Sequence, residues 1–191
     1  MHPQAPALST GYADDGEPVP ETIPGNFMIW IFIIGDVLVF SGLLVGFCVA
    51  KWLNHSAFLS AQRLLLPQIA ALETVTLILS GWLAAIAVEH QRQRRNTGLP
   101  LAGAMAFGAL FLLLKVREYA HSVTLFDYET AFAQLYYLIT GFHALHVGLG
   151  LTLFALSFLR SQKQYLPDYA RYWHFTDLIW LMIFPLLYVI R

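Results

Sequence analysis

The sequence predicts an all-α polytopic membrane protein, a bundle of five transmembrane helices, and three observations carry that reading. Hydrophobic residues fill 58% of the 191 positions and charged residues only 12%, about half the charge of an average globular domain. Five apolar stretches approach the roughly 20 residues that a helix needs to cross a ~30 Å hydrocarbon core. Proline and charge fall in the breaks between them. Helix is the default in lipid because backbone groups must be satisfied within the segment. One such stretch could be a buried helix of a soluble protein, but five leave no polar sequence to cover them.

The spans read Phe27–Ala50, Ile69–Val88, Leu101–Ala120, Phe132–Leu159 and Phe175–Ile190. Pro67, Pro100 and Pro167 stand before the second, third and fifth. Residues 1–25 are polar and proline-rich, with Asp14, Asp15, Glu17 and Glu21, and read as a flexible tail rather than a secretory signal. Residues 26–191 form the membrane domain.

Orientation follows from Lys and Arg. The second-to-third loop carries Arg92, Arg94 and Arg95, and the fourth-to-fifth loop carries Arg160, Lys163 and Arg171. Lys51 and Arg63 lie in one opposite loop, Asp127 and Glu129 in the other. The expectation is a cytoplasmic N-terminus and an outer C-terminus at Arg191. Trp30, Trp52, Tyr172 and Trp173 fall near the ends of these spans, where amphipathic rings settle at the interface.

Several function classes drop out. A net charge of −1 offers nothing to nucleic acid. Cys48 is the single cysteine, which removes an internal disulfide and any cysteine-based zinc or iron–sulfur site. No phosphate-cradling loop, nucleophile elbow or haem-attachment motif is present.

Ionisable groups inside spans are costly and mark the places to look for function. They are Asp36, Glu73, Lys115, Arg117, Glu118, His143, His146, His174 and Asp177. His143 and His146 share a helix face, as do His174 and Asp177, and carboxylates with imidazoles on several helices could make a di-iron site. Depth argues against that. At 1.5 Å per residue, Asp36 lies about 14 Å from the inner end of its helix, whereas Glu73 lies about 6 Å from the outer end. Interhelical hydrogen bonds and ion pairs are therefore the expectation. Glu73 is expected to meet Lys115 or Arg117, and Asp36 to meet His146, with His143 the second choice. Gly42, Gly46 and Gly148 are expected to let helices approach closely, and Pro185 to bend the last span.

Two long motifs then add a resemblance. Thr140-Gly-Phe-His-Ala-Leu-His-Val-Gly-Leu-Gly150 and Tyr172-Trp-His-Phe-Thr-Asp-Leu-Ile-Trp180 resemble the last two helices of subunit III of the haem–copper oxidases. Gly35-Asp-Val-Leu-Val-Phe-Ser-Gly42 is similar to that family's first shared helix, and Val116-Arg-Glu-Tyr119 to its glutamate–tyrosine pair. The likeness runs from about Phe27 to the C-terminus. The short chain and its Phe184-Pro-Leu-Leu-Tyr188 ending look most similar to the five-helix branch that accompanies nitric oxide reductases.

The resemblance implies a non-catalytic accessory subunit in a bacterial inner membrane, with the C-terminus periplasmic. It would hold no metal or haem of its own, bind phospholipid, and support stability and proton uptake. Haem and copper or iron would belong to its partner, the catalytic subunit of a haem–copper oxidase or nitric oxide reductase. Asp36 stands where glutamate is usual, and Glu73 where asparagine is common, so Glu73 needs a partner that the family does not require. Two other classes compete: a stand-alone membrane metal-dependent oxidase, and a lipid-binding assembly factor.

Overall fold

A computed structural model describes residues 27–126, 129–159 and 163–190, so the expected N-terminal tail, Asp127, Arg160 and Arg191 lie outside the described residues. Among the described residues every regular element is helical: α1 (Phe27–Leu53), α2 (His55–Gln62), α3 (Pro67–Arg92), α4 (Gly98–Ser122), α5 (Ala131–Leu159) and α6 (Leu166–Phe184). A 3₁₀ turn, Lys163–Tyr165, precedes α6, and a π turn, Pro185–Val189, follows it. Among the described residues, five helices are long and apolar enough to cross a membrane: α1, α3, α4, α5, and α6 with its π turn.

The prolines mark beginnings rather than breaks. Pro67 and Pro167 occupy the first position of α3 and the second of α6, and Pro100 sits in the first turn of α4. A helix's first N–H groups have no intrahelical acceptor, so a residue lacking an N–H costs nothing there. The fifth span therefore starts nine residues earlier than the apolar pattern indicates. Asp168, Arg171 and His174 lower the local hydropathy, yet Leu166, Ala170, Tyr172 and Trp173 on the same turns are buried.

α3, α4, α5 and α6 form a ring, each packed on its neighbours, and α1 lies outside across the seam between α5 and α6. The core sits where α6 faces the other ring helices, with Trp173, Trp180, Ile183 and Leu187 fully enclosed. Tyr172 and Trp173 are thus core residues and not interface anchors, a correction to the sequence reading. The Trp173 ring lies against two glycines, one on α4 and one on α5. A Cβ on Gly108 would come within 2.7 Å of it, and one on Gly150 within 2.5 Å. Gly42, Gly46 and Gly148 have no such neighbour within 4 Å, so the close approach expected there occurs elsewhere.

The loop after α3 closes as a Schellman cap, with Arg95 N donating to His90 O at 2.8 Å and Arg94 N to Gln91 O at 3.0 Å. Arg94 takes φ 54° there, a left-handed conformation that usually falls to glycine. At the opposite end α2 folds under the bundle. Phe58 packs edge-on against Phe47 and Phe132. Gln62 Nε2 donates to the carbonyls of Leu187 (2.8 Å), Leu186 (3.2 Å) and Ile190 (3.3 Å). Those acceptors are backbone groups of the turn that Pro185 begins and of Ile190 just after it.

Candidate functional site

Among the described residues, the buried ionisable side chains other than His143 gather in two clusters and one pair. The first cluster lies toward the end of the bundle that carries α2. Lys115 projects from α4 toward α3, with Nζ 2.7 Å from Glu73 Oε2 and 2.5 Å from Glu118 Oε2, one turn further along α4. Relative exposure is 0% for Glu73, 1% for Lys115 and 2% for Glu118, so solvent screens none of these charges. The π turn swings Tyr188 in from the C-terminal end. Its hydroxyl donates to Glu118 Oε1 at 2.8 Å and stands 3.4 Å from Tyr136 Oη. Trp180 supplies the floor, its ring centroid 4.4 Å from Lys115 Nζ, a cation–π contact strengthened by desolvation. The indole Nε1 donates to Thr74 Oγ1 at 3.0 Å, which fixes the ring.

One cation thus faces two carboxylates. A single ammonium between two carboxylates repays much of the desolvation that each charge incurs, and it ties α3, α4 and the C-terminal turn together. Above this cluster the hydroxyls of Tyr119 and Thr140 meet at 2.7 Å, and those of Ser122 and Tyr137 at 2.9 Å.

Asp36 and His146 make the second cluster, linking α1 to α5. Asp36 Oδ1 lies 3.2 Å from His146 Nε2, and His146 Nδ1 lies 2.7 Å from the carbonyl of Phe142. A carbonyl only accepts, so Nδ1 carries a hydrogen. One further hydrogen then lies between Oδ1 and Nε2, whichever atom holds it. Phe40 and Phe142 pack edge-on against the imidazole at centroid distances of 5.4 and 4.5 Å. Tyr172 donates to the His146 carbonyl at 3.3 Å, joining α6.

His174 and Asp177 form the pair, Nδ1 to Oδ2 at 3.9 Å. The Asp177 carboxyl lies directly on the backbone of Gly81, whose missing side chain leaves room for it. His174 is the partly exposed member, at the arginine-bearing end.

The sequence-named residues therefore divide. Glu73 meets Lys115, while Arg117, on the outer face of α4, is exposed. His143 is fully buried but does not reach Asp36. It stacks on Trp180 at 5.1 Å with its edge to Phe111, and neither ring nitrogen has a partner among the described residues. Among the described residues, no three His, Cys, Asp or Glu side chains group as a metal site would require. Sequence reasoning passed over Tyr136, Tyr188, Trp180 and Gln62. Their hydroxyl, ring and amide roles follow from the π turn and α2, which apolar periodicity does not report.

Comparison with known proteins adds the following. The sequence model of the family described as Cytochrome c oxidase subunit III matches residues 18–190. Cytochrome c oxidase subunit 3 of Bacillus sp. (strain PS3) is 27% identical, over 84% of this chain and 83% of its own length. Cytochrome bo(3) ubiquinol oxidase subunit 3 of Buchnera aphidicola subsp. Schizaphis graminum (strain Sg) is 26% identical, over 90% of this chain and 97% of its own. Cytochrome c oxidase subunit 3 of Equus caballus is 30% identical, over 83% of this chain and 66% of its own.

Proposed function

This chain belongs to the cytochrome c oxidase subunit III family, and from that premise we propose that it is a non-catalytic accessory subunit of a respiratory haem–copper enzyme in a bacterial inner membrane. The family match across residues 18–190 carries the reading. The arrangement of charge supports it: Lys115 is held by Glu73 and Glu118, and Asp36 by His146, so these groups serve to join helices. The catalytic partner would hold the haem and the copper or iron.

Two finer points belong to this reading. The partner is the catalytic subunit of a haem–copper oxidase or of a nitric oxide reductase, and the Phe184-Pro-Leu-Leu-Tyr188 ending, which delivers Tyr188 to Glu118, supports the second branch. The N-terminus is cytoplasmic and the C-terminus periplasmic, because α3 ends and α6 begins at the end that carries Arg92, Arg94, Arg95 and Arg171.

The test is affinity purification of the tagged chain from its native membrane. A haem-bearing catalytic subunit in near-equal amount supports the reading, and the gas that the complex consumes, oxygen or nitric oxide, fixes the branch. A chain that purifies alone, carrying an equivalent of iron or copper, would replace this reading with that of a metal-dependent oxidase.

A further inference from the structure

Arg92, Arg94 and Arg95 crowd the end of α3 and the cap that follows it. All three are exposed, and none has a hydrogen bond or ion pair from its side chain among the described residues. The carboxylates nearby are already engaged: Glu89 accepts from Gln93 at 2.7 Å, and Asp168 holds Arg171. Three like charges within four residues repel one another, and anions set among them would relieve that repulsion.

Between α3 and the first turns of α6 lies a groove of about 270 Å³ bordered by Arg92, Arg171 and His174. Arg171 and His174 also border a hollow of about 310 Å³ against Ile29 and Trp30 of α1. α1 therefore begins at this same end of the bundle, with α6 packed on both α1 and α3. The sequence that leads into α1 is acidic. Asp14, Asp15, Glu17 and Glu21 precede Phe27, and residues 1–26 contain no Lys or Arg. Pro18, Pro20 and Pro24 fix φ between them, which favours an extended course of about 3.1 Å per residue. Glu17 stands ten residues before Phe27, a reach of about 31 Å on that course. Two helix spacings of roughly 8–10 Å carry α1 past α6 to α3, so the acidic run reaches the arginine cap with chain to spare. It lies ahead of residue 18, where the family match begins, so the contact is a property of this chain's own sequence.

We propose that this chain's own N-terminal segment docks on the α3 cap, Asp14, Asp15 and Glu17 pairing with Arg92, Arg94 and Arg95 while residues 18–26 cross the first turns of α6. The contact goes beyond the accessory-subunit reading and holds whichever enzyme the chain accompanies. One exposed ion pair holds little. Three adjacent pairs on a tethered segment act together, at an effective concentration on the order of millimolar. The prolines lower the ordering cost, because much of the extended course is set before docking. A free acidic partner has neither advantage.

The test uses the full chain with any co-purifying partner, in phosphatidylcholine vesicles, with Cys48→Ser removing the one native thiol of the chain. Nitroxide labels at Ala13→Cys and at Leu99→Cys, an exposed position in the first turn of α4, report their separation by pulsed dipolar spectroscopy. One narrow distance peak is expected. It should be lost in the triple variant Asp14→Asn, Asp15→Asn, Glu17→Gln and in the double variant Arg92→Gln, Arg95→Gln. It should also be lost in about 1 M salt, where charges are screened within about 3 Å. Arg92 and Arg95 are exposed, so their replacement leaves the fold in place. A wild-type distribution as broad as that of the triple variant would overturn the proposal and leave the arginines to lipid headgroups or to another subunit. So would a narrow peak that survives either set of substitutions, fades on dilution with unlabelled chain, or requires the catalytic partner.

Discussion

Lys115 on α4 reaches Glu73 on α3 at 2.7 Å while also holding Glu118 on its own helix at 2.5 Å. The three members are not interchangeable. Without Glu73 the remaining pair is balanced, whereas without Lys115 two carboxylates face each other with no cation. Lys115→Met is therefore expected to cost about 3–5 kcal/mol, the range for stripping one partner from a buried ion pair. Glu73→Gln should cost less, and Glu73→Gln added to Lys115→Met should recover part of the loss. Unfolding in mild detergent measures all three, and a Glu73→Gln loss equal to that of Lys115→Met would contradict the arrangement.

The hydroxyl of Tyr188 is the fourth member of that cluster. Tyr188→Phe keeps the ring and removes the 2.8 Å bond to Glu118, which should cost about 1.5–3 kcal/mol, the span for a hydrogen bond to a charged group. A destabilisation no larger than that of Tyr165→Phe in the exposed turn before α6 would show that the bond carries no weight.

Asp36 and His146 give a substitution pair with opposite outcomes. Asp36→Asn can still give His146 Nε2 a donor, so packing of α1 should survive. Asp36→Leu strands a buried imidazole nitrogen at about 1–3 kcal/mol and should loosen α1 from α5. Accessibility of a thiol probe to Cys48, which α1 already carries exposed, offers one check on whether that helix has shifted. Equal reactivity and stability in both variants would refute the contact's structural role.

Steric fit supplies a further pair. Gly150→Ala sets a methyl within 2.5 Å of Trp173, and Gly148→Ala meets nothing within 4 Å. Overpacking costs about 1–3 kcal/mol, so the first should lower the melting temperature and the second should not.

At the α3 cap the direction reverses. Arg94 has φ 54°, where a side chain costs roughly 1–2 kcal/mol and glycine does not. Arg94→Gly is expected to raise stability, with Arg94→Val lowering it. No difference between these two in the unfolding midpoint would mean that the loop relaxes elsewhere.

How much of this was readable beforehand depends on what sets each feature. The five spans follow from composition, because lipid leaves the backbone only helix. The start of α6 did not, since its first turns mix Asp168 and Arg171 with the buried Tyr172 and Trp173 and so depress an average. Depth counting brought Glu73 level with both Lys115 and Arg117, but depth carries no azimuth, and the azimuth decided for Lys115. Asp36 and His146 meet as their depths suggest, while the glycines expected to bring those helices close face open space. The roles of Tyr188 and Gln62 were hidden because they depend on a π turn and a short helix that no apolar pattern announces.

The position of α1 outside the ring sets a clock on biogenesis. Of the described spans it leaves the ribosome earliest, yet it packs on α5 and α6, which follow it by about 80 residues or more. Asp36 precedes its partner by 110 residues, so at about 5–20 residues per second it waits roughly 5–20 s for His146. During that interval the carboxyl is a lone polar group beside lipid, visible to any factor that inspects unfinished helices. Docking of α1 is then the event that ends that exposure.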